Sequence, residues 1–132
     1  MTRQVKVVDL DYVVKLNPND AEALDDRCFA YARAGRLQDA LSDCNRSLQW
    51  QPDSASALDD RGFTYLKLGQ LPDAIADFTA ALKVNPKLAD ALYSRGIAEL
   101  RNGDAASGNA DIAAAKAIEP DIAGVMADLG VQ

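Results

Sequence analysis

The sequence of 132 residues contains no histidine. Histidine is the commonest general acid or base near neutral pH, a frequent metal ligand and the usual partner of a serine or cysteine nucleophile. Its absence leaves few hydrolytic mechanisms. The paired carboxylates at 25–26 and 59–60 are consecutive, so on a helix they would point about 100° apart rather than act together. We therefore expect no enzyme activity, no bound metal and no cofactor.

Long apolar runs and an excess of positive charge are also missing. No apolar run approaches the ~20 residues of a membrane-spanning helix, and Asp9 and Asp11 fall where a secretory signal would have its apolar core. The formal charge is −6, from 20 acidic and 14 basic side chains, so the average field repels nucleic acids and anionic membranes. We expect a cytoplasmic protein that binds neither, or a periplasmic or secreted one if an upstream signal has been removed.

What the sequence does contain is an internal repeat with a period of 34 residues. The stretch ALDDRCFAY at 23–31 returns as ALDDRGFTY at 57–65. A period of this size is typical of a solenoid protein. Within a single domain, 1–132, the predicted copies are 21–54, 55–88 and 89–122. The columns that define the period are Leu24, Leu58 and Leu92; Arg27, Arg61 and Arg95; and Pro18, Pro52, Pro86 and Pro120.

Each copy has the pattern of two helices joined by a turn. Apolar residues recur at helical spacing, as at Phe78, Ala81 and Leu82. A glycine column separates the two helices, at a place where a left-handed residue after a helix favours glycine. The proline column ends the second helix, because proline disfavours a helical residue before it and has no N–H group to donate.

The middle copy closely resembles the tetratricopeptide repeat. Six of its residues match that family's signature: Gly62, Tyr65, Ala74, Phe78, Ala81 and Pro86. The resemblance implies an all-α, right-handed superhelical solenoid of antiparallel helix pairs that binds other proteins. The first copy departs from the signature at Cys28, Cys44 and Ser47. The third departs at Glu99 and Gly108, so we expect its helix pair to be the loosest.

Partial copies flank the three repeats. Residues 3–16 are predicted to form a leading helix equivalent to the second helix of a repeat whose first helix is missing. Residues 122–130 have the spacing of a short amphipathic helix. Because solenoid ends expose apolar faces unless they are capped, the C-terminal helix is predicted to cap the last repeat. Either terminal helix could instead join copies of the chain in a homo-oligomer.

The repeated arginines are predicted to serve the fold. They border the packing face of each first helix, so their stems should be buried while the guanidinium group seeks a carboxylate. The second helices offer a column of aspartates with the same period. We hypothesise an Arg–Asp ladder, within or between repeats, that fixes the register of the stack. Its members are Arg27, Arg61, Arg95, Asp43, Asp77 and Asp111.

The neighbouring acidic residues are predicted to serve a partner. In the resembling family the first helices line the concave surface, which would concentrate negative charge there beside apolar side chains. Such a surface suits peptide binding; the alternative is that the acids only keep the surface soluble. The predicted site comprises Glu22, Asp25, Asp26, Phe29, Asp59, Asp60, Phe63, Asp90, Tyr93 and Ile97.

The resemblance also narrows the ligand. Chaperone-binding members of the family hold a partner's C-terminal carboxylate with lysine, asparagine and arginine side chains. The matching positions here are Asp25, Phe29, Asp60, Asp90 and Ser94, and none carries that chemistry. We therefore expect an adaptor that binds a neutral-to-basic protein or peptide segment. The alternative function is self-assembly through exposed terminal helices.

Two further features have less specific interpretations. The only cysteines, Cys28 and Cys44, are too few for a disulfide framework. They should face each other between the helices of the first copy, so a disulfide is conceivable in an exported protein, but we expect two reduced core side chains. Trp50 belongs to a column of large apolar residues, which indicates packing at the repeat junctions, with an interface anchor as the alternative.

Overall fold

The structure, a computed structural model, describes residues 7–132, apart from the side chain of Val8. This part of the chain forms eight α-helices and no β-strand. The helices are α1 (Val7–Leu16), α2 (Ala21–Arg33), α3 (Leu37–Trp50), α4 (Ala55–Leu68), α5 (Leu71–Val84), α6 (Ala89–Arg101), α7 (Ala105–Ile118) and α8 (Ile122–Asp128). The predicted start of the leading helix, at residue 3, lies outside the described residues.

The helix boundaries follow from local backbone chemistry. The Asp20 carboxylate accepts a hydrogen bond from the backbone N–H group of Ala23, which caps the N-terminus of α2, and Ser54 caps α4 in the same way. The first helix of the middle pair, α4, ends at Leu68 and is followed by Gly69, whose φ angle is 77°. A residue with a side chain is strained at this φ angle, so glycine provides the turn into the second helix.

The helices pair in sequence order, and the pairs stack on one another. α2 packs against α3, α4 against α5, and α6 against α7. The second helices α3 and α5 also pack against the first helix of the following pair. α1 packs against α2 and so occupies the place of a second helix. The all-α solenoid of helix pairs predicted from the sequence is confirmed.

The first two helix pairs close their central contact differently. Between α2 and α3, Cys28 and Cys44 form a disulfide, with Cα atoms 5.4 Å apart and both side chains fully buried. The expectation of two reduced cysteines is therefore wrong: the helices face each other as predicted, and their Cα atoms lie within bridging range. Between α4 and α5, the buried Phe78 ring lies over Gly62, where an added Cβ atom would come within 2.7 Å of the ring.

The third helix pair is held by a close approach of its backbones. A Cβ atom on Gly96 would lie 2.8 Å from the carbonyl oxygen of Gly108, and one on Gly108 would lie 2.7 Å from that of Gly96. The expectation that this pair is the loosest is therefore wrong. The departure at Gly108 removes a side chain where the helices cross, and this lets α6 and α7 come together.

The C-terminal segment, residues 122–132, folds back on the third helix pair. α8 packs against α6 and α7 and buries Ile122 and Met126. The helix ends at Asp128 instead of continuing to residue 130. The chain then turns at Gly130, whose φ angle is 82°, and Val131 returns to the core with 1% exposure.

The column of large apolar residues that contains Trp50 lies at the surface. The predicted packing of Trp50 at a repeat junction is therefore wrong. Each member of the column is the last residue of its helix, at the edge of the stack. The exposed fractions are 68% for Leu16, 54% for Trp50, 50% for Val84 and 44% for Ile118.

Candidate functional site

The structure brings the six predicted ladder residues together in three pairs. In each pair the arginine donates two hydrogen bonds to one carboxylate, a fork geometry that fixes both side chains. Nε and Nη2 donate to Oδ2 and Oδ1, respectively. The distances are 2.6 and 2.8 Å for Arg27 and Asp43, 2.7 and 2.8 Å for Arg61 and Asp77, and 2.7 and 2.9 Å for Arg95 and Asp111.

The same arginines also reach the preceding second helix. Arg27 Nη1 donates to Asp11 on α1 at 2.9 Å. Arg61 and Arg95 make the equivalent contacts with Asn45 and Thr79, at 3.1 and 3.3 Å. Each arginine therefore joins its own helix to two second helices, which supports a role in setting the register of the stack.

These acceptors were missed in the sequence, although they lie 34 residues apart. The column was hidden because its three members share the ability to accept a hydrogen bond but not a side-chain type. Hydrogen bonding to Asp43 raises the pKa of Arg27 further above its ordinary value. Each ladder arginine is therefore a cation paired with an aspartate of its own helix pair.

The third pair carries a carboxyl group with an unusual pKa. Burial, together with a hydrogen bond to Asp111, raises the pKa of Glu99 to about 7. Burial alone would raise the pKa of Asp111, but hydrogen bonds from Arg95 and Glu99 hold it below the usual range. Below about pH 7, protonated Glu99 therefore donates a hydrogen bond to the charged Asp111.

The predicted peptide site is divided by its burial. It lies on what we call the first-helix face, the side of α2, α4 and α6 that points away from α3, α5 and α7. Glu22 is exposed there, and four others are partly exposed: Asp26, Phe29, Asp59 and Asp90. The remaining five are buried: Asp25, Asp60, Phe63, Tyr93 and Ile97.

The expectation of an open row of apolar side chains is therefore wrong at Phe63, Tyr93 and Ile97. The buried Asp25 and Asp60 likewise form part of the wall and offer little surface to a ligand. A helical wheel for one first helix identifies the side that points away from the second helix of its pair. It does not show whether other parts of the chain cover that side.

Two of those elements explain the burial. Neighbouring first helices cover each other: Ser56 Oγ on α4 donates to Asp25 on α2 at 2.6 Å, and the Phe29 and Phe63 rings lie 5.7 Å apart. The C-terminal segment supplies further cover, because Met126 and Val131 belong to the same apolar core as these rings.

A basic row runs along the other end of the first-helix face. It consists of Arg33, Lys67 and Arg101, which are exposed, lie 34 residues apart and occupy the C-terminal ends of α2, α4 and α6. Arg33 lies 5.8 Å from the centre of the Phe29 ring, and Lys67 lies 5.2 Å from that of Phe63. This column was missed in the sequence, although its period is the same.

The C-terminal segment lies against this basic row. Arg101 Nη2 donates to the backbone oxygen of Gln132 at 2.6 Å. Beside it is a cavity of about 320 Å³. Its lining residues are Gly35, Leu37, Leu66, Lys67, Arg101, Gly130 and Val131. The remaining acids form what we call the acidic row, near the N-terminal ends of the first helices: Glu22, Asp26, Asp59 and Asp90.

Comparison with known proteins agrees with this geometry. Residues 31–93 match the family model for the tetratricopeptide repeat. The structure resembles a crystal structure of MamA, with 23% identity and a TM-score of 0.78 over 86% of this chain and 67% of that one. MamA from Desulfovibrio magneticus RS-1 is 21% identical, with a TM-score of 0.76 over 87% of this chain and 65% of that one. The thermophilic TPR protein TTC0263 of Thermus thermophilus is 23% identical, with a TM-score of 0.81 over 93% of this chain and 70% of that one.

The match over residues 31–93 and the fold confirm the resemblance to the tetratricopeptide repeat that the sequence predicts. A search of curated protein sequences gave no significant match. The fold supports a protein–protein interaction module, and members of the family are generally not enzymes.

Among residues 7–132, no helix has the length and apolar character needed to cross a membrane. In the same part of the chain, no group of three or more histidine, cysteine or acidic residues could hold a metal ion.

Proposed function

We propose that the protein is a non-enzymatic adaptor that binds a neutral-to-basic segment of a partner protein along the acidic row. The observation that carries this proposal is the separation of charge on the first-helix face. Acidic side chains lie at one end of α2, α4 and α6, and basic side chains lie at the other. A partner that places cations along the acidic row gains electrostatic attraction at that end of the face.

Phe29 supplies an apolar contact between the two rows. It is partly exposed, lies against Phe63 and is covered on one side by Arg33. An aromatic ring of this kind can act as an anchor while the charged rows orient the ligand. We infer that basic residues of the partner follow the acidic row and that an apolar residue contacts Phe29.

The remaining parts of the proposal follow from the same surface. No cofactor is needed for recognition by charge and apolar contact. The net charge of −6 disfavours binding to nucleic acids and anionic membranes. The buried disulfide supports work in an oxidising compartment, such as the periplasm or the extracellular space, in preference to the cytoplasm.

Binding of a peptide library at about 50 and 200 mM salt tests the proposal, since surface electrostatics weaken with salt. We expect peptides that contain lysine and arginine to bind. Neutralising the charges of the acidic row should lower their affinity about tenfold or more at the lower salt. The test variant carries Glu22→Gln, Asp26→Asn, Asp59→Asn and Asp90→Asn. The matched control removes four exposed acids elsewhere, through Asp53→Asn, Asp73→Asn, Glu119→Gln and Asp121→Asn. Equal binding by both variants would contradict the proposal.

Self-assembly is a second candidate function, and one observation favours it. α1 exposes large apolar side chains, with Tyr12 at 66% and Leu16 at 68%. In contrast, α8 buries Ile122 and Met126 within the chain. Sedimentation equilibrium over about a hundredfold range of concentration tests this function: a constant monomer mass argues against it.

A further inference from the structure

Within residues 7–132, no other helix covers one face of α1. On a helical wheel, Asp9, Tyr12, Val13 and Leu16 fall within about 100° of one another, away from Val14, which packs against Ala23 and Leu24 of α2. All four are exposed in the structure. We call these four residues the open face of α1.

The 34-residue period identifies the residues of α3, α5 and α7 that are equivalent to the open face of α1. Val13 corresponds to Ser47, Ala81 and Ala115 in the second helices α3, α5 and α7. Those three are 1%, 0% and 0% exposed, because the first helix of the same pair lies over them, whereas Val13 is 39% exposed. α1 therefore presents the face that a second helix normally buries against its first helix.

Asp9 identifies the chemistry of the missing element. It corresponds to Asp43, Asp77 and Asp111, each of which accepts two hydrogen bonds from an arginine of its first helix. Asp43 and Asp77 are buried by that contact, at 3% and 6% exposure, whereas Asp9 is exposed. A small residue follows the arginine in every pair: Cys28, Gly62 and Gly96.

We propose that the open face of α1 binds, in trans, an amphipathic α-helix of a partner protein that carries an arginine followed by a small residue. The arginine pairs with Asp9 in the geometry of the ladder, and the small residue lets the two helices approach. Apolar side chains of the partner helix cover Val13, Tyr12 and Leu16. The surface is distinct from the acidic row, so the two proposals stand or fall separately.

Charge argues against a second copy as the occupant. Two open faces packed together would bring two Asp9 carboxylates into the contact without a cation from either face. The arginine-bearing first helices α2, α4 and α6 are already packed against α3, α5 and α7. A second copy therefore supplies a first helix only by unfolding one of its own pairs.

A peptide copied from α4 provides a direct probe, because it carries the Arg61–Gly62 pair and is a first helix by origin. Residues 54–70 are synthesised with a hydrocarbon staple between positions 59 and 63, away from Arg61, to hold the peptide helical. Fluorescence anisotropy then measures its binding to the full chain. We expect Asp9→Asn, or Arg61→Gln in the peptide, to weaken binding about tenfold, as loss of a charged hydrogen-bonded pair does.

Controls separate this contact from general attraction. Asp53→Asn removes an exposed acid elsewhere and should bind like the wild type. Combining Asp9→Asn with the peptide change should weaken binding no further than either alone. Val13→Glu, at an exposed position, should abolish binding without lowering the melting temperature.

Three outcomes would overturn the proposal. The first is no binding of the stapled helix, and the second is binding that Asp9→Asn leaves unchanged. The third is a homodimer, seen by sedimentation equilibrium, that Val13→Glu dissociates, because a second copy then covers the face.

Discussion

The first and second helix pairs solve the same packing problem by different means. In the first, Cys28 and Cys44 join the helices covalently, and in the second, the Phe78 ring fills the space over Gly62. The third pair uses neither and brings its backbones together at Gly96 and Gly108. The comparison teaches that the Arg–Asp pairs are shared, while the contact at the helix crossing is free to vary.

The largest expected effect is the loss of the ring from the second pair. Phe78 is fully buried, so Phe78→Ala leaves a cavity beside Gly62 that neighbouring side chains fill only in part. We expect the free energy of unfolding to fall by about 4 kcal/mol in urea titrations. Phe29→Ala, at a partly exposed ring, is the control and should cost less. Equal losses would show that the contact at the crossing is not special.

The next effect is the removal of the covalent link in the first pair. The disulfide closes a short loop, with a sequence separation of 16. Reduction should lower the free energy of unfolding by about 3 kcal/mol, mainly because the unfolded chain gains freedom. Urea titrations with and without reductant measure this change in the free energy of unfolding. The double variant Cys28→Ala and Cys44→Ala should be insensitive to reductant; free thiols in the protein purified without reductant would contradict the bridge.

A smaller effect separates the third pair from the second. Gly96→Ala places a methyl group 2.8 Å from the backbone of α7, and the helix must move to accept it. We expect a loss of about 2 kcal/mol, within the usual cost of overpacking. Gly62→Ala meets the edge of a phenylalanine ring, which can tilt, and should cost less. Thermal unfolding of both variants tests the order, and the reverse order would contradict the close-approach account.

The smallest effect is a pH dependence confined to the third pair, where Glu99 stands in the column of Tyr31 and Tyr65. The pKa of Glu99 is raised from 4.5 to about 7 in the folded state. Protonated Glu99 therefore stabilises the fold below pH 4.5, and this contribution is lost as the pH rises through 7.

Comparison with Glu99→Gln isolates this contribution. Relative to the wild type, the glutamine variant should gain stability between about pH 5 and pH 8. The gain should be on the order of 1 kcal/mol, because solvent screens a partly exposed group. The comparison uses urea titrations at both pH values. A difference in stability that does not change with pH would contradict the raised pKa.

Much of the fold was readable from the 34-residue period. It predicted the helix pairs, the glycine turns and the partners of Arg27, Arg61 and Arg95, because a residue's place in the column fixes its place in the stack. The period did not reveal the acceptors of the third hydrogen bond, since Asp11, Asn45 and Thr79 differ in type.

The candidate site was less readable, for two physical reasons. The burial of Phe63 depends on the neighbouring Phe29 ring and on the return of Val131 to the same core, and a wheel for one helix includes neither. The disulfide depends on the distance between two Cα atoms, whereas the pattern of Cys28 and Cys44 gives only the side of each helix. The basic row was readable but was overlooked beside the acids.

The central claim is that the acidic row receives the partner segment. Chemical-shift mapping tests it most directly: a lysine- and arginine-containing peptide selected from the library is titrated into the isotope-labelled protein, and the backbone amide resonances are followed. The account predicts the largest shifts at Glu22, Asp26, Asp59 and Asp90 and around Phe29, with little change in α5 and α7. Largest shifts on the outer sides of α5 and α7 would contradict it.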